Sequence, residues 1–353
     1  MFFVRVVIVG ASGNIGTSLL EALRAEPQVG SVLALARRAA DLEFPRTEWA
    51  QANVTTDELA PLFRGADAVV HLAWAIQPSR DEHALRRTNV EGSRRVFQAV
   101  AQAGVGALVY GSSVGAYSRG PKTRRVDEDW PARGIRSSFY GRHKGDVERM
   151  LDDFEREHPA TRVVRMRPGL VFKRGAASGI RRLFVGPFLP SRLLRRELVP
   201  LVPAPPGLRF QAVHSHDVGE AYRLALITDA RGAFNVAADP VLDGPELARL
   251  AGARSLRVPP AALRTVADLT WRLHLQPTPP GWVDLALGVP LMDSGRARAE
   301  LGWEPRSSAT EALRELLAGM RERAGARTPP LDPGAGGPLR AGEVRSGIGA
   351  RES

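Results

Sequence analysis

The stretch from Val4 to Leu23 limits the fold more than any other part of this sequence. Val4-Arg5-Val6-Val7-Ile8-Val9 is a β-type apolar run that breaks into Gly10-Ala11-Ser12-Gly13-Asn14-Ile15-Gly16 and then into the helix-forming Thr17-Ser18-Leu19-Leu20-Glu21-Ala22-Leu23. The spacing predicts a strand, a tight turn and a helix. Glycines at 10 and 13 suit a backbone that takes positive φ or approaches another group closely, and Gly16 lets the helix pack tightly on the strand. The first turn of such a helix offers free N–H groups and the positive end of its dipole to phosphate. A second strand, Ser31 to Ala36, follows at the spacing of a βαβ unit, which favours a dinucleotide-phosphate site over a plain structural turn.

The alternation continues. Thr47 to Ala52 reads as a third strand, with a helix from Thr56 or Asp57 to Phe63, and Ala68 to Ala73 is the continuous apolar run of a strand buried on both faces. A long helix from about Glu82 to Gln102 carries a stripe of Leu85, Val90, Val96, Phe97 and Val100. Ala107 to Tyr110 is a fifth strand ending in Gly111-Ser112-Ser113, and a helix capped by Ser137 or Ser138 runs to just before Pro159. Arg162 to Arg167 is a sixth strand, stopped by Pro168-Gly169. The pattern predicts an α/β protein with a Rossmann-type, doubly wound parallel sheet. Residues 1–174 are expected to form a dinucleotide-binding domain, to which Arg209 to Val213 and Ala233 to Val236, within 208–237, return as strands. Residues 175–322 are expected to form a smaller, mostly helical substrate-binding region, and 324–353, poor in large apolar residues, a disordered tail.

Composition narrows the chemistry. There is no cysteine, which excludes disulfides, thiolate metal sites and a cysteine nucleophile. The lack of cysteine fits a cytoplasmic location best; no stretch reaches membrane-spanning length and the N-terminal apolar run is too short for a signal peptide, so no membrane partner is expected. The net charge of +11 comes from arginines scattered along the chain, without aromatic interleaving or a nucleic-acid module, and no nucleic-acid partner is expected. Lysine occurs only at 122, 144 and 173. His214-x-His216-Asp217 superficially resembles a metal ligand set, but a strand before it and a helix after it make Asp217 an N-cap and the histidines structural; no metal is expected.

Ser113, Tyr140 and Lys144 are the candidate catalytic residues. Tyr140 and Lys144 stand four apart on a predicted helix and share a face. An ammonium beside a phenol stabilises the phenolate, so the Tyr140 pKa is expected below about 10, which makes it a proton donor and acceptor near neutral pH. Ser113 lies at the carboxyl end of a parallel strand, where such sheets bind ligands. The ordinary alternative is a solvated Tyr/Lys pair on an amphipathic helix.

Read in order, these pieces resemble the extended short-chain dehydrogenase/reductase family, the NAD-dependent epimerase/dehydratases. The resemblance rests on the glycine turn, His71-Leu72-Ala73-Trp74, Asn89-Val90-Glu91-Gly92-Ser93, Ser112-Ser113-Val114-Gly115-Ala116-Tyr117, Tyr140-x-x-x-Lys144, Arg167-Pro168-Gly169, His216-Asp217-Val218-Gly219-Glu220-Ala221 and Leu301-Gly302-Trp303-Glu304-Pro305. It implies that Ser113 orients a substrate oxygen, that Tyr140 is the acid/base, and that Lys144 holds the nicotinamide ribose and tunes Tyr140. It also implies a cofactor surface of Gly10, Ser12, Gly13, Asn14, Ile15, Gly16, Asn53, Val54, Leu72, Ala73, Trp74, Asn89, Pro168, Gly169, Leu170 and Val171, besides Tyr140 and Lys144. A homodimer through the helices near 82–102 and 138–158 is the family expectation.

Departures from the pattern are informative. Arg37-Arg38 follow the second strand where NAD users of the family carry an acidic residue, which favours NADP over NAD because a guanidinium pairs with a 2′-phosphate. The Asp often found after the third strand is Asn53. Val114-Gly115 replace the Asp-Glu pair of sugar-nucleotide dehydratases, which removes the acid and base of elimination. Leu170 stands where epimerases commonly place a diphosphate-contacting Asn; Arg181, Arg182, Arg195 and Arg196 are alternative diphosphate ligands or simply a solvated surface. The expected function is an NAD(P)-dependent oxidoreductase acting on a small-molecule carbonyl or secondary alcohol. The alternatives are a nucleotide-sugar epimerase with tightly bound NAD and a non-catalytic sensor of NADP.

Overall fold

The computed structural model describes residues 4–38, 40, 42–76, 80–184, 201–275 and 278–333. Seven strands form the main sheet: β1 (Val4–Val9), β2 (Val29–Ala36), β3 (Thr47–Gln51), β4 (Ala68–His71), β5 (Ala107–Gly111), β6 (Arg162–Pro168) and β7 (Gly232–Val236). Their order is β7-β6-β5-β4-β1-β2-β3 and every pairing is parallel. Parallel strands need crossovers. The direction of winding reverses between β1 and β4, and the crevice beyond their carboxyl ends is the place where such sheets take ligands.

The helices are α1 (Asn14–Leu23), α2 (Ala60–Phe63), α3 (Glu82–Arg86), α4 (Gly92–Gln102), α5 (Phe139–Glu157), α6 (Ala177–Phe184), α7 (Ser215–Ile227), α8 (Gly244–Ala251), α9 (Pro260–Arg272), α10 (Gly281–Gly288), α11 (Gly295–Leu301) and α12 (Ala309–Glu322). Strand alternation divides the core between the two faces of the sheet. Val6 and Ile8 point to one face with α1, α7 and α12, whereas Val7 and Val9 point to the other with α2, α4 and α5. Among the described residues no helix is long and apolar enough to cross a membrane.

Several expectations change. The helix over 82–102 is interrupted by a π-helical turn at Arg87–Glu91, which carries Asn89 inward. The helix from 56 shortens to Ala60–Phe63 because Asn53, Thr55, Thr56 and Asp57 hydrogen-bond among themselves. Only β7 returns to the main sheet: Ala212–His214 pairs with Leu170–Phe172, and Arg209–Phe210 with Leu242–Asp243. Asp217 is not an N-cap. His214 takes that position through Nδ1, while the Asp217 carboxylate accepts from the amides of Arg306 and Ser307 and its carbonyl accepts from the Trp303 indole.

That clamp explains the largest difference. α11 and α12, expected in a separate region, belong to the main core: Ala309, Ala312, Leu313, Leu316 and Met320 form an apolar stripe buried with Trp303. Leu247 and Leu250 of α8 also pack against this core. Residues 324–333, expected to begin a disordered tail, pack on the fold, with Thr328 and Leu331 buried and the Ser178 hydroxyl donating to the Leu331 carbonyl. The tail from 334, Arg195, Arg196 and the side chain of Arg182 lie outside the described residues.

Candidate active site

At the glycine turn the shape of the site is set by the backbone. Gly10 has φ +93°, and a Cβ there would lie 2.6 Å from the Ala73 nitrogen; one at Gly16 would lie 2.5 Å from the Ala11 carbonyl oxygen. Both positions exclude any side chain. Gly13 caps α1 without a side-chain hydrogen bond, and no acidic residue stands in the first turn, so no side chain caps or neutralises the N–H groups of that turn. Asn14 donates from Nδ2 to the Val171 carbonyl at 3.1 Å, tying the turn to the segment after β6. Beneath it Lys173 donates to the Asn14 carbonyl and to the Thr17 and Ser18 hydroxyls at 2.7–2.9 Å, and burial pulls its pKa down to about 8. Ser12 is buried and Ile15 packs on the core.

Arg37 and Arg38 lie side by side just past β2, exposed, with no ion pair or hydrogen bond to another described residue. Partial burial and the Arg38 charge lower the Arg37 pKa. Asn53 uses its side-chain oxygen on Thr55, and Val54 packs at Gly92. Leu72 continues β4 by donating its amide to Val9, and the loop through Ala73 and Trp74 is held at Ala75 by Asn89, whose amide group bonds both the nitrogen and the oxygen of that residue. Asn89 therefore positions this loop through both ends of its amide. Pro168 ends β6, the Gly169 amide donates to Val236, and Leu170 and Val171, both half-buried, run beside 212–214.

The structure brings Ser113, Tyr140 and Lys144 together. Ser138 caps α5, and the stripe Tyr140, Lys144, Glu148 faces inward, each of the three buried. Ser113 accepts from the Gly115 amide at 3.0 Å and heads a tight turn that lies against the Tyr140 ring: a Cβ at Gly115 would be 2.6 Å from Cε1. Lys144 donates to the Gly111 carbonyl and to the Tyr110 hydroxyl, with its Nζ 3.5 Å from the centre of the Trp74 ring.

The expected drop in the Tyr140 pKa is not found. Burial pushes Tyr140 up to about 12, against the downward pull of its hydrogen bond with Ser113. Lys144 exerts no comparable pull because its ammonium lies 6.0 Å from the Tyr140 ring centre and is turned toward Gly111, Tyr110 and Trp74. Burial lowers Lys144 well below the usual lysine range, with Glu148 opposing.

Two parts of the site escaped the sequence reading. The first is a buried charge network. Glu148 accepts from Ser112, from Arg167 at 2.8 and 2.9 Å, and from Arg165 at 3.2 Å, while Arg167 also donates to the Tyr117 hydroxyl. Burial alone would raise Glu148, but the two guanidiniums and Ser112 outweigh it and hold the carboxyl at about 2. The spacing of Tyr140, Lys144 and Glu148 was a signal for it, because i, i+4, i+8 is one helical stripe. The second is Trp282, on α10, whose ring lies 5.3 Å from that of Tyr140. Nothing local signals a contact across so much sequence.

A doubly wound parallel sheet with an uncapped, glycine-lined helix N-terminus at its switch point defines an α/β protein of the dinucleotide-binding class. The chain belongs to the NAD-dependent epimerase/dehydratase family of enzymes: residues 6–237 match that family's model. Among solved structures it is similar to MoeE5 in complex with UDP-glucuronic acid and NAD, at 20% identity and a TM-score of 0.68 over 90% of this chain and 99% of that one. It is similar also to the UDP-glucose 4-epimerase of Thermus thermophilus complexed with NAD, at 23% identity and a TM-score of 0.67 over the same shares. At those identities the likeness establishes the fold. Uncharacterized proteins of Mycobacterium bovis and Mycobacterium tuberculosis are 25% identical over 324 residues, and the chain spans 30% of their length. Another uncharacterized Mycobacterium tuberculosis protein is 26% identical over 341 residues, 93% of this chain and 86% of the relative.

Proposed function

We propose that this protein is an NADP-preferring oxidoreductase that interconverts a carbonyl and a secondary alcohol, with Tyr140 as the proton partner. The observation that carries the reading is the meeting of Ser113, Tyr140 and Lys144 at the carboxyl end of β5, beside the uncapped N-terminus of α1. The residues present fit a dinucleotide. Gly10 and Gly16 let the turn close on the backbone of Ala73 and Ala11, the first-turn amides of α1 would bind a pyrophosphate, and Arg37 and Arg38 would hold a 2′-phosphate. A bound nicotinamide supplies or accepts the hydride.

Tyr140 keeps its proton throughout the neutral range because burial raises its pKa, so it stands ready to protonate the oxygen of a carbonyl being reduced. Ser113 hydrogen-bonds the same oxygen and keeps it within reach. Lys144, whose charged form burial disfavours, braces the back of the site by donating to the Gly111 carbonyl and the Tyr110 hydroxyl. The reverse reaction needs the phenolate. Alcohol oxidation is therefore expected to accelerate as pH rises toward about 12, while carbonyl reduction stays flat through neutral pH, which initial rates across a pH series would check.

Replacing Tyr140 with Phe is expected to lower kcat by about 10²–10⁴-fold with cofactor affinity kept; full turnover in that variant would sink the reading. A nucleotide-sugar epimerase is the second reading, supported by the UDP-sugar complexes among the fold neighbours. It predicts turnover of a UDP-sugar without net change in cofactor absorbance. The cysteine-free composition speaks for a cytoplasmic location, and the family resemblance for a homodimer through α3, α4 and α5, checked by native mass.

A further inference from the structure

The wall around Tyr140 identifies the kind of substrate that the proposed reaction takes. Trp282 lies against the Tyr140 ring at 5.3 Å and 33°, Trp74 meets it edge-on at 6.0 Å, and Phe139 packs edge-on against Trp282 at 6.1 Å. Ile135 and Leu285 complete an apolar cluster that also contains Ala75. Three amide side chains, Asn89, Gln211 and Asn235, are engaged within the fold. Asn89 holds both backbone groups of Ala75, Gln211 holds both of Met292, and Asn235 bonds the Tyr117 hydroxyl and the Asp293 carbonyl. The Trp74 indole N–H is a buried donor without an acceptor among the described residues.

A sugar ring carries a hydroxyl on almost every carbon, and each one buried without a partner costs about 1–3 kcal/mol. A flat apolar ring carries no hydroxyls that need partners and gains contact with the Trp282 indole. We infer that the substrate carries an aromatic or conjugated apolar group next to its carbonyl or carbinol carbon, and that this group packs on Trp282 with the oxygen directed to Tyr140 and Ser113. The inference rests on the oxidoreductase reading for the reaction, but the binding preference stands on the wall itself.

The test uses the full chain loaded with NADP⁺, titrated with acetophenone, propanone and UDP-glucose and followed by saturation-transfer NMR. Acetophenone is expected to bind with saturation greatest at its ring protons, at least about 10-fold more tightly than propanone. Trp282→Ala is expected to weaken acetophenone about 10-fold, and Trp282→Phe by no more than about 3-fold. NADP⁺ titration of each variant checks that it is folded, and Trp282→Phe keeps the test open if the alanine variant is not. UDP-glucose binding more tightly than acetophenone, or acetophenone affinity that ignores both substitutions, overturns the inference. Acetophenone that binds as expected but is never reduced with NADPH upholds the preference and overturns the oxidoreductase reading instead.

Discussion

At the glycine end of the site the groups that would meet a cofactor are backbone amides and small residues from one continuous stretch, Gly10 to Gly16, with Arg37 and Arg38 one strand later. At the Tyr140 end they are side chains delivered by separate segments: Trp74 after β4, Ser113 after β5, Tyr140 and Lys144 on α5, and Trp282 on α10. The first end is pre-formed by local geometry and is neutral or positive. The second depends on buried charges that must balance one another, and on rings that touch only once the chain has folded. Backbone sites are protected by steric exclusion, whereas side-chain sites depend on their supporting network.

The largest expected effect breaks that supporting network. Glu148→Gln leaves Arg167 and Arg165 buried with less compensation, and is expected to cost about 3–5 kcal/mol in denaturant unfolding at pH 7. Glu148 falls on folding from the ordinary 4.5 to about 2, so its contribution is fully present above pH 4.5 and is lost as pH falls toward 2. The gap between wild type and variant is therefore expected to close over that interval; a gap that is constant with pH would mean that the carboxylate charge is not what matters.

A smaller effect is expected at the other end. Gly10→Ala places a Cβ against the Ala73 backbone at φ +93°, and strain of about 1–3 kcal/mol is expected to weaken NADPH binding 10–100-fold, read by fluorescence titration. Unchanged affinity would show that the turn yields, and would erase the contrast between a rigid backbone end and a networked side-chain end. The smallest effect sharpens the comparison within the glycine end itself. Serine at both Arg37 and Arg38 is expected to weaken NADP⁺ about 10-fold while moving NAD⁺ less than about 3-fold, because on the proposed reading only a 2′-phosphate would meet these guanidiniums. Equal losses for both cofactors would remove the basis for NADP preference.

The comparison follows what was legible. Strand, turn and helix at Val4 to Leu23, the parallel sheet and the shared face of Tyr140 and Lys144 could all be read because they depend on periodicity and local spacing. The Tyr140 pKa was read in the wrong direction, since i, i+4 spacing places two side chains on one face but does not say where an ammonium turns or how deeply a phenol is buried. Asp217 looked like an N-cap by the same local logic, yet its carboxylate serves the loop at Arg306 and Ser307, 89 and 90 residues away. Lysine's scarcity proved meaningful: all three lysines donate to backbone carbonyls, and Lys144 and Lys173 are buried.

By itself the sequence determined most strands and helices up to Pro168, their parallel arrangement and the glycine turn, because hydrophobic period and the absence of Cβ act within a few residues. Only the tertiary structure decided that α11 and α12 join the main core, that Glu148 is ionised between two arginines, and that Trp74 and Trp282 wall Tyr140. Desolvation, ion pairing and ring contact are properties of neighbours in space, and those neighbours are far apart along the chain.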